Sequence, residues 1–512
     1  MKRNTQRAMH QLSLLLTSSL MSLLTGCSVK PELMPTTESV VTSTTIVTST
    51  TSVVGEPAPT QETLIEGSLH PMAYPSQIDG KTDYVSTFRP DALLSGIPTN
   101  VDLGTLVKVG QPLRMIALGG SLTAGVRNGG LYREGQLTSY PALVARQMGI
   151  TDFQTPAFGA NEANGTGFLV YSNSAGSYPR WQQVANQLAP VRQGTPEVPP
   201  VLSQFTGTKV DNFAAPLLVS NAFDFLWNPS VNGDNGTGNS WFPYQPYLWR
   251  FIPSSQSEKM GLIDNISQNQ QYGLFIFEDR TEDWIRTLRR NDNLTPDSFN
   301  QELLVGQFNY GRRAAKLASG GKKGVVFTVP NFQDYAFSQW YPATDLKRKA
   351  TLVDVTYRDE RYSESMRKLD VNKDFWFMPT PAVAKLFETL QQGDVVRTTL
   401  SDADVMDQYE GRSSDPWQYN EQVIKMARDL NLALVDLNTI YKQIRQGNYT
   451  AEGGLRIDGS PKGNFFSSDG TYPTAIGQAV IANEVIKAIN STYQTRIPLI
   501  NVREYAQIVG VR

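Results

Sequence analysis

The sequence holds one cysteine and two histidines in 512 residues. A single cysteine excludes an intrachain disulfide, and a chain of this length buries enough surface to need none. Two histidines exclude a histidine-rich metal site and argue against any mechanism that needs a histidine pair. Charge of one sign is missing too, since 46 basic groups stand against 48 acidic ones for a formal net charge of −2. A nucleic-acid surface normally shows a basic excess or stripe, so no nucleic acid is expected as a partner. The chain has no Walker loop, no H-E-x-x-H and no C-x-x-C. Asp370-Val371-Asn372-Lys373-Asp374 opens like a calcium loop, but Phe375 stands where glycine is obligatory and Pro381 where the closing glutamate belongs. A turn is expected there, and no metal or cofactor anywhere.

What is present begins at the N-terminus. Lys2, Arg3 and Arg7 precede an apolar run from Leu12 to Leu24, the length of a signal-peptide core and too short to span a bilayer. The one cysteine follows at Leu24-Thr25-Gly26-Cys27. This string resembles a bacterial lipoprotein box, which implies cleavage after residue 26 and a lipid on Cys27. The mature chain then keeps one histidine, His70, in an irregular segment beside Pro71. Residues 27–66 are dominated by Ser, Thr, Val and Pro, as in Thr42-Ser43-Thr44-Thr45 and Thr48-Ser49-Thr50-Thr51-Ser52. They carry no helical or strand-and-turn pattern and read as a tether, with a Thr/Val strand as the alternative. A coil of about 39 residues reaches roughly 35 Å, enough to stand a domain off a bilayer. Residues 67–110 form an irregular lead-in.

From residue 111 onward the pattern is that of a folded domain. Leu113-Arg114-Met115-Ile116-Ala117-Leu118 is a mostly apolar run that ends on Gly119-Gly120, as a buried strand closing on a tight turn would. Residues 273–277, 324–329 and 433–437 look alike. Helices are expected over 301–317, 417–430 and 474–489, the last with Ile481, Val485 and Ile489 at i, i+4 and i+8. Strands alternating with helices indicate an α/β domain with a parallel sheet covered on both faces. Residues 160–260 and 335–415, rich in Gly, Asn, Pro and aromatics, read as long insertions on that scaffold. Trp227, Trp241, Tyr244, Tyr247 and Trp249 cluster in the first of them, as an aromatic platform for a sugar or a partner, or as insertion core.

The first strand ends in Gly119-Gly120-Ser121-Leu122-Thr123-Ala124-Gly125. A serine on the turn after a parallel strand presents its hydroxyl at the carboxyl edge of the sheet, where α/β proteins place their sites. It is not a G-x-S-x-G elbow, because Thr123 takes the last position. The string resembles the first block of the SGNH/GDSL hydrolases, and Gly129-Gly130-Leu131-Tyr132, Gly135-Gln136 and Ser139-Tyr140-Pro141 continue the likeness to lipoproteins of that family in the Bacteroidetes group. At the far end, Ser467-Ser468-Asp469-Gly470-Thr471-Tyr472-Pro473-Thr474 is similar to the last family block, D-G-x-H-P-T. The resemblance covers about residues 110–512. It implies a flavodoxin-like three-layer α/β/α fold with long loop insertions, and ester hydrolysis by a serine.

The chain departs from the family's chemistry at several positions. A serine hydroxyl needs a neighbouring base near pKa 7, which the family supplies as the histidine of D-x-x-H. Here Tyr472 stands there, and a phenol is only about one part in a thousand ionised at pH 7. The resemblance puts Ala214, in Asn212-Phe213-Ala214-Ala215-Pro216, where the second block has an oxyanion-binding glycine. It puts Arg280, in Glu278-Asp279-Arg280-Thr281, where the third block has an oxyanion-binding asparagine. Gly120 replaces the first-block aspartate. Ser121 and Asp469 are what remains of the catalytic set, and both are equally readable as turn or cap residues.

Two readings from different classes follow. One is a lipid-anchored protein of the bacterial cell envelope, in the outer membrane at its surface or periplasmic face, that has lost hydrolysis and binds a carbohydrate or protein partner. The other is a working esterase or carbohydrate deacetylase that uses Ser121 with an unorthodox base or clamp drawn from Glu278, Asp279 or Arg280. The absence of any histidine in the domain favours the first.

Overall fold

The structure, a computed structural model, describes residues 76–78, 81–83, 98, 100–107, 112–172, 180–184, 187–192, 201–218, 223–224, 246–252, 261–290, 309–359, 365–371, 375–377, 380–401, 404–407, 416–461 and 463–509. Residues 1–26, expected as a signal peptide, Cys27, the expected tether to residue 66 and His70 lie outside the described residues. So do Trp227, Trp241, Tyr244 and most of the calcium-like loop.

Four strands make the central sheet: β1 (Met115–Leu118), β2 (Leu274–Phe277), β3 (Lys323–Phe327) and β4 (Ala433–Val435). All pair in parallel, in the order β4-β3-β2-β1. The four apolar runs of the sequence supply them, each shortened at one end, and β3 also starts one residue earlier, at Lys323. Every residue of β1 and β2 is buried, although successive side chains point to opposite faces. Both faces are therefore covered, which is why these strands read as continuous apolar runs without alternation.

A fifth segment lies against the outer edge of β1. Ala117 N donates to Asp211 O at 2.8 Å, Phe213 N to Ala117 O at 2.7 Å and Ala215 N to Gly119 O at 3.1 Å, around a parallel bridge between Ala117 and Asn212. Counted in chain order, the sheet then runs 2-1-3-4-5. That is the doubly wound order, in which the winding reverses between β1 and β2. Ligand sites of such sheets lie at the carboxyl ends of the strands flanking that reversal.

The helices are α1 (Ser121–Ala124), α2 (Tyr140–Gln147), α3 (Thr281–Arg290), α4 (Trp417–Asp429) and α5 (Ala475–Tyr493). The expected helix over 301–317 is described from residue 309, and it is helical from there to 317. Its Tyr310 stacks on Tyr419 of α4 with ring centroids 6.4 Å apart and meets Phe277 edge-on. Thr474 caps α5 by accepting from Gly477 N at 3.0 Å. Ile481, Val485 and Ile489 are fully buried, as their spacing predicts. Among the described residues no helix is long and apolar enough to cross a membrane.

The second insertion carries strands the sequence reading did not resolve. Residues Ala350–Asp359 pair in parallel with Asp394–Ser401 and antiparallel with Ser365–Lys368. Val355, Tyr357, Val396 and Leu400 from this sheet join the same hydrophobic core as β1 to β4. Its exposed positions mix polar and apolar residues: Thr356 and Thr399 are bonded across the pair at 3.1 Å, while Leu352, Met366 and Val395 stand exposed.

One side chain ties the sheet to its longest helix. The Tyr493 hydroxyl donates to Gly324 O at 2.7 Å and accepts from Gly324 N at 3.0 Å and Ala433 N at 3.2 Å, so it bridges β3 and the start of β4 from the end of α5. Tyr493→Phe leaves those buried backbone groups unpaired. The expected cost is about 1–3 kcal/mol in urea unfolding, and a loss below about 0.5 kcal/mol would contradict this role.

Candidate active site

Ser121 sits where β1 turns into α1, at the carboxyl edge of the sheet and beside the reversal of winding. The residue is buried, 1% exposed. Its hydroxyl oxygen accepts from Leu217 N at 3.0 Å and, among the described residues, has no base to donate to. Leu217 has φ +58°, in the left-handed region that favours glycine, and its side chain is 66% exposed above the serine. The amide that reaches Ser121 Oγ is thus Leu217's, three residues beyond Ala214. The Ala214 amide donates to Asn212 Oδ1 at 3.1 Å instead.

Two buried carboxylates meet the turn that carries Ser121. Glu278, the first residue after β2, accepts from Gly120 N at 3.1 Å and from Thr123 Oγ1 at 3.2 Å, while its other oxygen accepts from Thr281 N at 3.2 Å. Glu282, in the first turn of α3, accepts from Ser121 N at 3.2 Å. The same Glu282 carboxylate takes the Tyr472 hydroxyl at 3.0 Å on Oε2 and 3.2 Å on Oε1. Sequence reasoning singled out Glu278, Asp279 and Arg280 from this stretch and missed Glu282. The available signal was a glutamate one helical turn past the end of a buried strand, on the face that returns to the sheet edge.

The other two residues of that stretch are engaged elsewhere. Asp279 pairs with the fully buried Arg313 at 3.0 Å, and Arg313 reaches Asp224 at 2.5 Å with its other nitrogen. Arg280 directs its guanidinium to Asp283 at 3.6 Å. Its backbone has φ +77°, a left-handed joint between β2 and α3 at a residue with a bulky side chain.

Tyr472 is presented by the loop before α5, and the loop explains its own sequence. Asp469 Oδ1 accepts from Thr471 N at 2.7 Å and Tyr472 N at 2.8 Å, a turn closed by its own aspartate. Asp469 Oδ2 accepts from Gly129 N at 2.9 Å, fastening the turn to the loop after α1. Gly470 has φ +66°, and a Cβ there would stand 2.8 Å from Phe337 N. Asn128, also left-handed at φ +58°, completes the staple: its N donates to Ser467 Oγ at 2.8 Å, and its Oδ1 accepts from Ser468 N at 3.1 Å. Ser121, Tyr472 and Asp469 therefore lie in one buried cluster across 351 positions of sequence (472 − 121), with Glu282 as the bridge between the first two.

Gly120 leaves the space that Glu282 uses. A Cβ on Gly120 would stand 3.0 Å from Glu282 Cβ, 3.3 Å from Glu282 Oε2 and 3.4 Å from Leu218 O, so a side chain here would need the carboxylate that meets the Ser121 amide to give by a few tenths of an ångström. Among the described residues no group of three or more His, Cys, Asp or Glu is placed to hold a metal.

Burial pushes the Glu278 carboxyl up to about 7, the neighbouring charges of Glu282 and Asp279 add to the rise, and hydrogen bonds from Thr281 and Gly120 oppose it. Burial also raises the phenols around it, Tyr140, Tyr310 and Tyr335 among them, and the Glu278 charge contributes to each. The site is a closed, acid-rich polar cluster ringed by neutral phenols.

Comparisons with known proteins add little. No family model matches the chain, and no curated protein matches it. One solved structure, LAE5, an alpha/beta hydrolase enzyme from the metagenome of Lake Arreo in Spain, is similar over 76% of this chain and 98% of its own, at 10% identity and a TM-score of 0.30. A likeness that slight carries no argument about activity.

The raised Glu278 makes a prediction for stability. The folded state holds this proton up to about pH 7, whereas the unfolded chain releases it near the ordinary 4.5. The folded state thus binds more protons in between, so stability from this group is full below about 4.5, declines as pH rises, and levels off above about 7. Glu278→Gln should flatten that decline, removing about 3 kcal/mol of the difference in unfolding free energy between pH 4.5 and 8. Equal pH dependence in wild type and variant would contradict a protonated Glu278.

Proposed function

We propose that this chain is a lipid-anchored envelope protein whose SGNH/GDSL-hydrolase-like domain has lost hydrolysis and serves as a binding or scaffold module. The observation that carries the reading is the Glu282 carboxylate on the Ser121 amide, 3.2 Å away. Ester hydrolysis by a serine passes through a tetrahedral oxyanion, held by N–H donors aimed at it. In the SGNH pattern the serine's own amide is one such donor. Here an incoming substrate would meet that donor already taken, by a group that repels a developing negative charge when ionised.

The second support is the missing base. Tyr472 occupies the place of the histidine and spends its hydroxyl proton on Glu282. Asp469, which would orient a histidine, spends both oxygens on backbone amides. The 2-1-3-4-5 sheet order and the serine at the first strand's carboxyl end are those expected from the resemblance. The anchor is supported by Leu24-Thr25-Gly26-Cys27 after the apolar run, and the outer membrane by the likeness to Bacteroidetes lipoproteins. A carbohydrate or protein of the envelope is the proposed partner.

Members of a catalytic triad act as a unit, so losing the base alone forfeits most of the rate. Wild type should turn over simple acyl esters near background, resist labelling by a fluorophosphonate, and change less than about twofold on Ser121→Ala. Tyr472→His should regain part of the activity. Adding Glu282→Ala should raise it further, by about 10²-fold, because a freed oxyanion donor is worth that much. Brisk ester or acetyl-sugar hydrolysis by wild type, abolished by Ser121→Ala, would overturn the reading in favour of an active esterase or deacetylase.

The anchor is tested separately. Mature protein should begin at Cys27 and partition with membranes, and Cys27→Ala should leave it unprocessed or release it. A soluble wild type with its N-terminus elsewhere would contradict the anchor.

A further inference from the structure

We infer that the cage around Glu282 is a receptor site for a small carboxylate, kept shut by a side chain of the protein itself: Ser121 N–H and the Tyr472 hydroxyl hold the Glu282 carboxylate as an internal ligand. The donor set suits that chemistry. Tyr472 O–H lies within 3.2 Å of both carboxylate oxygens, and Ser121 N reaches the nearer one. A third polar group stands by. Tyr335 is 1% exposed, its hydroxyl has no hydrogen-bond partner among the described residues, and Tyr472 and Glu282 both lie close enough to act on its ionisation.

The receptor and its occupant are mounted differently. Ser121 follows directly from the buried strand β1, and Tyr472 is held by the Asp469 turn and the Asn128 staple. Glu282 is carried by α3, which joins the sheet through Arg280 at φ +77°. The strained joint is on the side of the occupant. Trp284 and Ile285 keep the first turn of α3 in the core, so the exchange is of the Glu282 side chain alone, and removing its carboxylate leaves the two donors in place. The space given up is small. Beyond Cβ, glutamate consists of one methylene and one carboxylate, which is acetate in size, and Cβ itself stands against Gly120. The ligand class is therefore a short carboxylate, or the acyl end of a larger molecule that enters carboxyl first.

The inference deepens the proposed function, because it takes the surroundings of Ser121 as a binding site. Its test reads binding alone, so ester turnover by wild type would remove the loss of hydrolysis without touching the result here. The probe is sodium acetate, titrated at pH 6, where Glu278 keeps its proton, against sodium chloride of equal ionic strength. Glu282→Ala should show a saturable rise in Tm of several degrees with acetate, a smaller one with formate and none with butyrate. Wild type should show no acetate-specific rise, and Glu282→Ala/Tyr472→Phe should lose it. Absence of the rise in Glu282→Ala, or an equal rise in wild type or in the Tyr472→Phe double variant, overturns the proposal. If Glu282→Ala folds in neither salt, the isosteric Glu282→Gln decides. A carboxylate cage predicts a lower Tm for Glu282→Gln and a Tyr472→Phe penalty that shrinks in that background. An unchanged Tm with an undiminished penalty overturns it.

Discussion

A buried carboxylate must be hydrogen-bonded or it destabilises the fold, and at the carboxyl edge of this sheet two of them have to be satisfied within one turn of backbone. Glu278 and Glu282 find their donors on consecutive amides, those of Gly120 and Ser121. Much of the local sequence follows from that requirement. The glycine at position 120 lets Glu282 pack closely, with a Cβ there coming within 3.0 Å of Glu282 Cβ. Thr123 turns its hydroxyl to Glu278, and Tyr140 in turn meets Thr123 at 2.8 Å. Tyr472 is a phenol that supplies the remaining proton. Asp279, the third acid of the stretch, is neutralised by a buried arginine of its own.

On the proposed reading, one carboxylate links the departures from a serine-hydrolase pattern. A histidine at 472 would stand beside Glu282, which favours its cationic form and so weakens it as a base for Ser121. A side chain at 120 would require Glu282 to shift by a few tenths of an ångström. Each single change therefore acts on the same group. Leu217 belongs to the cluster as well: its left-handed backbone lets its amide reach the serine hydroxyl, holding an acceptor where a working site would have a free nucleophile.

Much of the scaffold was legible in the sequence. Apart from Lys323 at the start of β3, the four strands carry no charged or polar side chain because both faces are covered, so they stand out without any alternation, and α5 shows its i, i+4, i+8 stripe. The turn residues of the last block, Asp469, Gly470 and Thr474, declare themselves because each is required by backbone geometry. The site was less legible. Ser121, Asp469 and Tyr472 are close in space as their blocks suggested, but the residue that joins Ser121 to Tyr472 is Glu282, whose identity depends on how α3 leaves the sheet. That exit is set by the left-handed Arg280, which no hydrophobic pattern encodes. The strands of the second insertion were missed for a related reason. Their exposed positions mix Thr, Arg and Asp with Leu352, Met366 and Val395, so neither a clean alternation nor a continuous apolar run marks them in the sequence.

The site is organised around the bond between the Glu282 carboxylate and the Ser121 amide, and that amide can be observed directly. In the ¹H–¹⁵N spectrum at pH 6, the Ser121 amide proton of wild type should resonate downfield, as expected for a donor to a carboxylate oxygen. Glu282→Gln should move it clearly upfield while amides of β4 stay in place. A Ser121 resonance that does not shift on Glu282→Gln would mean that the carboxylate does not hold this amide, and the central claim would fail.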